Sequence, residues 1–218
     1  MPQRIDRFFS NADREAIRAA TTIAERETAG ELVVYVTERC DPHVEVGWKA
    51  ALIGGAVGAL CAVFAVSRFG GWGAPDYLWT LIGLQLGLVL GWVASRFDMV
   101  ARRLIGSEAL DSRVESRAAE AFLEEQVFAT RDRTGVLVFV ALFEHRVFVL
   151  ADEGINERVD DDAWTEISGE LALGLRRGTP APALIHAVKR CADLLVEHGV
   201  SALDRENELS DEPRFRRD

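Results

Sequence analysis

Ala50–Val66, AALIGGAVGALCAVFAV, and Tyr77–Ser95, YLWTLIGLQLGLVLGWVAS, contain no charged residue. A bilayer span needs roughly 17–25 mostly apolar residues, and both stretches reach that window. Between them RFGGWGAPD, from Arg68 to Asp76, is punctuated by glycine and proline and is long enough only for a hairpin loop. Trp48, Trp72, Tyr77, Trp79 and Trp92 fall near the ends of the two blocks, where amphipathic rings favour the membrane interface. Residues 49–97 therefore read as a two-helix transmembrane hairpin, an integral membrane unit of two spans.

Within the blocks, Gly54, Gly55 and Gly58 and then Gly83, Gly87 and Gly91 recur every three or four residues, which places small residues on one helical face and permits close helix contact. Gln85 is the one strongly polar side chain and reads as a bond within the helix pair rather than a transport path. The chain opens with a charged segment carrying six arginines and no signal peptide, a poor cargo to translocate. Lys49, Arg96, Arg102 and Arg103 flank the spans on the termini side, against Arg68 alone in the loop. Both termini and the soluble part are accordingly expected in the cytoplasm, with the hairpin in the cell (inner) membrane.

Over 218 residues, 35 Asp/Glu against 25 Lys/Arg give a net charge of −10, concentrated after the hairpin. Such a chain, without a dense Lys/Arg stripe, repels a phosphate backbone, so nucleic acid is excluded as a partner and cations are favoured. The three cysteines, Cys40, Cys61 and Cys191, show no metal-ligand spacing, which argues against a zinc site or a disulfide framework.

Outside the hairpin, Ser10 with Asp13 resembles a capping box, followed by Ile17, Thr21, Ala24 and Thr28 at helical spacing up to Gly30. ELVVYVT, Glu31–Thr37, is apolar on both faces and reads as a buried strand. After the hairpin, Leu110, Val114, Ala118 and Phe122 mark an amphipathic helix starting near Ser107. Val136–Phe143 and Arg146–Ala151 read as an antiparallel hairpin turning at Glu144 and His145. Trp164, Ile167, Leu171 and Leu175 form a further helix ended by Gly178, and Thr179-Pro180 opens the last, which stops at Gly199. The expected fold class is α/β, a small mixed β-sheet sandwiched by helices and interrupted by the transmembrane hairpin. Its first and second strands run parallel through a crossover. The expected divisions are 1–48, the first part of the soluble domain; 49–97, the hairpin; 98–200, the second part; and 201–218, a polar disordered tail.

Ala24-Glu25-x-x-Thr28-x-Gly30-Glu31, Thr134-Gly135-Val136-Leu137-Val138, Asp152-x-Gly154-Ile155 and Trp164, in this order and spacing, resemble the TPM domain family over about 8–40 and 107–198. That resemblance implies an α/β/α sandwich and, in some members, divalent-cation binding, weak acid phosphatase activity or a role in maintaining membrane protein complexes.

The strand directions independently gather Glu31, Asp132, Thr134 and Asp152 at one end of the sheet, where Asp160, Asp161 and Asp162 open the next helix and can fold back. Glu38, Asp41 and Glu144 gather at the opposite end. Two readings of the first cluster stand open. One is a Ca²⁺ or Mg²⁺ site centred on Asp152 with Glu31 and an Asp from 160–162, since hard cations take several oxygen ligands. The other is that the Asp run complements a helix dipole and Asp152 caps a turn. His43, His145, His186 and His198 are scattered, and no G-x-S-x-G, P-loop, G-x-G-x-x-G or H-E-x-x-H is present. Function divides between a membrane-anchored module that binds another membrane protein or a second copy of itself, and a metal-dependent phosphatase in which a bound metal activates water.

Overall fold

Strands β1 (Glu31–Thr37) and β2 (Gly135–Ala141) are buried at every position, as strands covered on both faces must be. In the computed structural model, which describes residues 4–41, 43–70, 75–200 and 209–216, β1 pairs parallel with β2 from Glu31 opposite Gly135 to Thr37 opposite Ala141. Strand β3 (Arg146–Ala151) runs antiparallel to β2, and the short β4 (Arg214–Arg216) runs parallel to β1, giving the order β3-β2-β1-β4.

Period-2 alternation divides the strand side chains between two cores. Leu32, Val34 and Val36 with Val136, Val138 and Val140 face one way, among residues of α1 (Arg4–Phe8), α2 (Asn11–Glu27), α8 (Asp161–Arg176) and α9 (Pro180–Glu197). Val33 and Tyr35 with Leu137 and Phe139 face the other, against Val114, Ala118 and Ala121 of α6 (Ser107–Glu124). There Tyr35 stacks on Phe139 with ring centroids 5.3 Å apart, and its hydroxyl accepts a hydrogen bond from Arg117 at 2.7 Å. The α/β class, the parallel crossover and the antiparallel hairpin are as the sequence predicts, and α2 begins at the expected capping box between Ser10 and Asp13.

The chain forms two compact units, Met1–Asp41 with Asp111–Asp218, and Pro42–Leu110. The second reaches beyond the expected boundary at 97 because α5 (Asp98–Ile105) packs on α3 (Val44–Phe69). The expected disordered tail over 201–218 is corrected at Arg214–Arg216. Phe215 packs on Phe9 at 5.3 Å, Arg214 pairs with Glu125 at 3.0 Å, and these contacts hold β4 on the free edge of β1. Residues 201–208 and 217–218 of that tail, and Trp72 in the hairpin loop, lie outside the described residues.

In the second unit, α3 and α4 (Asp76–Ala94) are both long and apolar enough to cross a membrane, and only 17 % and 6 % of their apolar windows are buried. Core helices of a soluble protein would be mostly covered. Leu60, Phe64, Leu86 and Leu90 are instead 57–70 % exposed. Where the two helices meet, their backbones touch. A Cβ on Gly54 would overlap the carbonyl oxygen of Gly87, one on Gly58 that of Gly83, and one on Gly91 that of Ala50. The glycines of the two helices thus bring the backbones of α3 and α4 into direct contact. Replacing Gly87 by Leu should cost about 1–3 kcal/mol by forcing the helices apart. Thermal melts in detergent followed by tryptophan fluorescence, with outward-facing Leu86→Ala as control, check this; equal melting of both variants would contradict the close packing.

Candidate functional site

The parallel register sets the start of β1 beside the start of β2, and the β2–β3 register sets the end of β3 beside both, so Glu31, Thr134 and Asp152 do meet at one end of the sheet. Glycines permit this crowding. A Cβ on Gly30 would lie 2.7 Å from Leu195 and 3.3 Å from the Thr134 carbonyl oxygen, and one on Gly154 would lie 2.9 Å from the Arg133 carbonyl oxygen. Thr134 ties the strands together: its N–H donates to the Thr130 hydroxyl at 2.9 Å, its hydroxyl donates to the Ala29 carbonyl at 3.0 Å, and its carbonyl accepts from the Glu31 N–H at 3.1 Å.

The carboxylates at this end are engaged in holding chain. Asp152, 5 % exposed, is the N-cap of the short helix α7 (Glu153–Asn156), and its Oδ1 accepts from the Glu153 N–H at 2.8 Å and pairs with Arg133 at 3.1 Å. Its Oδ2 is buried without a hydrogen-bond partner. Glu31 accepts from the Leu209 N–H at 3.3 Å. Asp160 is the N-cap residue of α8 without a side-chain cap bond, and Asp161 and Asp162 occupy its exposed first turn, where they complement the helix dipole. Among the described residues, no three His, Cys, Asp or Glu side chains converge as metal ligands. One oxygen of Asp152, the expected centre of a Ca²⁺ or Mg²⁺ site, is taken by Arg133.

At the opposite end the acids also serve the backbone. Glu38 accepts from the Ile5 N–H at 3.2 Å, Glu144 from the Cys40 N–H at 3.0 Å, and Asp41 pairs with Arg113 at 3.5 Å. His145 sits in the β2–β3 turn with φ 53°, His198 bonds the Leu194 carbonyl at 2.8 Å at the end of α9, and His186 lies 3.6 Å from Glu170. Burial pushes the Cys191 thiol up to about 12, which leaves it protonated and unreactive.

Sequence reasoning missed Glu25 as a titrating group. At the end of α2 its Oε1 accepts from the Leu32 N–H at 3.1 Å, while burial above all, with the nearby charges of Asp211 and Glu31, pushes its carboxyl up to about 9. Asp211 comes from the segment leading to β4 and also accepts from the Thr22 hydroxyl at 2.6 Å. The available signal was Glu25 following Ala24 on the buried stripe of α2, but only the tail's arrival encloses it.

Residues 102–194 match the TPM domain family, in agreement with the resemblance over the second stretch of the soluble domain; the first stretch, 8–40, lies outside the match. No curated protein matches the chain. The NMR structure of the BA42 protein from the psychrophilic bacterium Bizionia argentinensis is similar in fold, with a TM-score of 0.57 and 17 % identity over 95 % of each chain.

Glu25 sets a pH dependence. Unfolded, it loses its proton near 4.5; folded, near 9. Its contribution is therefore complete below pH 4.5 and is lost as pH rises toward 9. Glu25→Gln keeps the acceptor for Leu32 and has no proton to lose, so it should melt higher than the natural chain by about 1–2 kcal/mol equivalent at pH 7, discounted for partial solvent access. The difference should widen toward pH 9 and vanish near pH 4.5. Melting curves at the three pH values check it, and a constant difference would remove Glu25 as the source.

Proposed function

We propose that this chain, with its TPM domain match over 102–194, is a membrane-anchored interaction module. Its hairpin spans the bilayer twice, both termini face the cytoplasm, and the α/β unit associates with another membrane protein in maintaining a membrane protein complex. The observation that carries this reading is the apolar outer surface of α3 and α4, open along almost the whole of both helices. In water such a surface would be an aggregation hazard, whereas in lipid it is the matched one. The backbone contact of the two helices supports it further, since close small-residue packing is how helices associate where no hydrophobic force drives them together.

Phosphomonoester hydrolysis is the second reading the family suggests, and no specific observation favours it. The carboxylates that would hold a metal there bind an arginine, a helix terminus and the chain's own C-terminal segment.

Membrane fractionation tests the anchor. The full chain should remain in the pellet after high salt and alkaline carbonate and leave it only with detergent. With the natural cysteines replaced, Arg68→Cys should react with an impermeant maleimide in intact cells, and Ser10→Cys only after lysis. Recovery of the chain in the carbonate supernatant would defeat the anchored reading, and labelling of Ser10→Cys in intact cells would invert the topology.

A further inference from the structure

We infer that the outer edge of β3 is a docking groove for an extended, basic segment of a partner protein, which adds to the sheet as a further strand. This deepens the interaction-module reading by naming the surface and the chemistry of what it takes, and it rests on that reading.

Among the described residues β3 is the last strand on its side of the sheet, and its hydrogen-bond phase fixes what it offers. The Asp152 N–H donates to the Gly135 carbonyl at 2.9 Å, and Val136 stands opposite Ala151. In an antiparallel pair, alternate residues turn their polar groups toward the partner strand. Arg146, Phe148 and Leu150 therefore face β2, and Val147, Val149 and Ala151 aim their N–H and C=O groups away from it. A side-chain bond to the outward backbone agrees: Asn156 Nδ2 donates to the carbonyl of Ala151 at 2.9 Å. The remaining outward groups of Val147 and Val149 form the ladder that a new strand requires.

The edge does not face open solvent. It lies in a groove of about 670 Å³ between α6, which contributes Asp111 and Glu115, and α8. On α8 the residues beside the edge are small, Thr165, Ser168, Gly169 and Ala172, and a Cβ on Gly169 would meet nothing within 4 Å. Both flanking helices would accompany β3 of a second copy to this edge, so a single extended chain fits the slot better than another sheet. β3 is six residues long, a length of roughly 20 Å for the added strand.

Two polar features point to an occupant. Trp164 lines the groove, is 5 % exposed, and carries a buried indole N–H without a hydrogen-bond partner among the described residues. The charge is uneven as well. Arg146 is held by Asp111, and of the charges left in the groove the two carboxylates, Glu115 and Asp161, outnumber the one guanidinium, Arg176. Basic side chains on the incoming strand complement these two carboxylates. The opposite edge of the same sheet already holds a strand of this kind, Arg214-Phe215-Arg216, with both arginines on Glu125.

The test uses the full chain in detergent and a fluorescent, end-blocked Lys-Val-Thr-Val-Thr-Val-Lys peptide, read by polarisation and by amide exchange of the 146–152 segment. Saturable binding that slows exchange there is expected, at least tenfold weaker for the peptide with Glu in place of Lys. Gly169→Leu fills the slot from a helix position with open space around it. It should weaken binding at least tenfold while the melting temperature stays equal or rises. Binding unchanged by Gly169→Leu, no saturation with the Lys peptide, or protection of 146–152 that grows with protein concentration alone would each overturn the proposal; the last would assign the edge to a second copy. None of these outcomes bears on the carbonate and maleimide results, so failure of the groove and failure of the anchor are told apart.

Discussion

Parallel pairing of β1 with β2 constrains everything else in the chain. Two parallel neighbours cannot be joined by a tight turn, so a crossover of a dozen or more residues must leave one end of the sheet and return to the other. Here that connection carries both apolar helices, then α5 and α6, before β2 begins. The same pairing buries both strands completely, so helices must cover both faces: α6 on one, and α2, α8 and α9 on the other. An insertion as large as the hairpin is compatible with this because the sheet does not fix the length of the crossover.

The hairpin obeys a different rule. In the α/β unit, apolar side chains leave water on contact, whereas the contact of α3 with α4 is made by glycine and backbone. Gly54, Gly58, Gly83, Gly87 and Gly91 face inward, where the backbones meet, while Leu60, Phe64, Leu86 and Leu90 face outward. This is the reverse of a soluble helix pair, whose large residues would lie in the seam.

The strands and long helices were legible because their period is local. ELVVYVT can bury both faces only as a central strand, and Trp164, Ile167, Leu171 and Leu175 can share a face only on a helix; all four are buried on α8. What was not legible depends on partners distant in the chain. β4 lies in a polar tail, and nothing local distinguishes Phe215 from a solvated aromatic until Phe9 and Glu125 are beside it. Glu25 likewise reads as an ordinary end-of-helix acid until Asp211 arrives from the same tail. For the acidic end, strand direction correctly brought Glu31 and Asp152 together, but it could not show that Arg133 and the Leu209 N–H would occupy them first.

Among the described residues, the two edges of the sheet are treated unequally. An exposed strand edge is a hazard that proteins close, blunt or use. The β1 edge is closed by the chain's own last residues, at the cost of holding Glu25, Glu31 and Asp211 near one another, with Glu25 neutral at ordinary pH. Among the described residues no strand pairs with the outer side of β3. That edge instead lines a groove of about 670 Å³ between α6 and α8. A protein that only needed to avoid aggregation could have placed a large side chain at position 169 of α8. Glycine stands there instead, in a helix interior where it is intrinsically costly, and a Cβ on it would meet nothing within 4 Å.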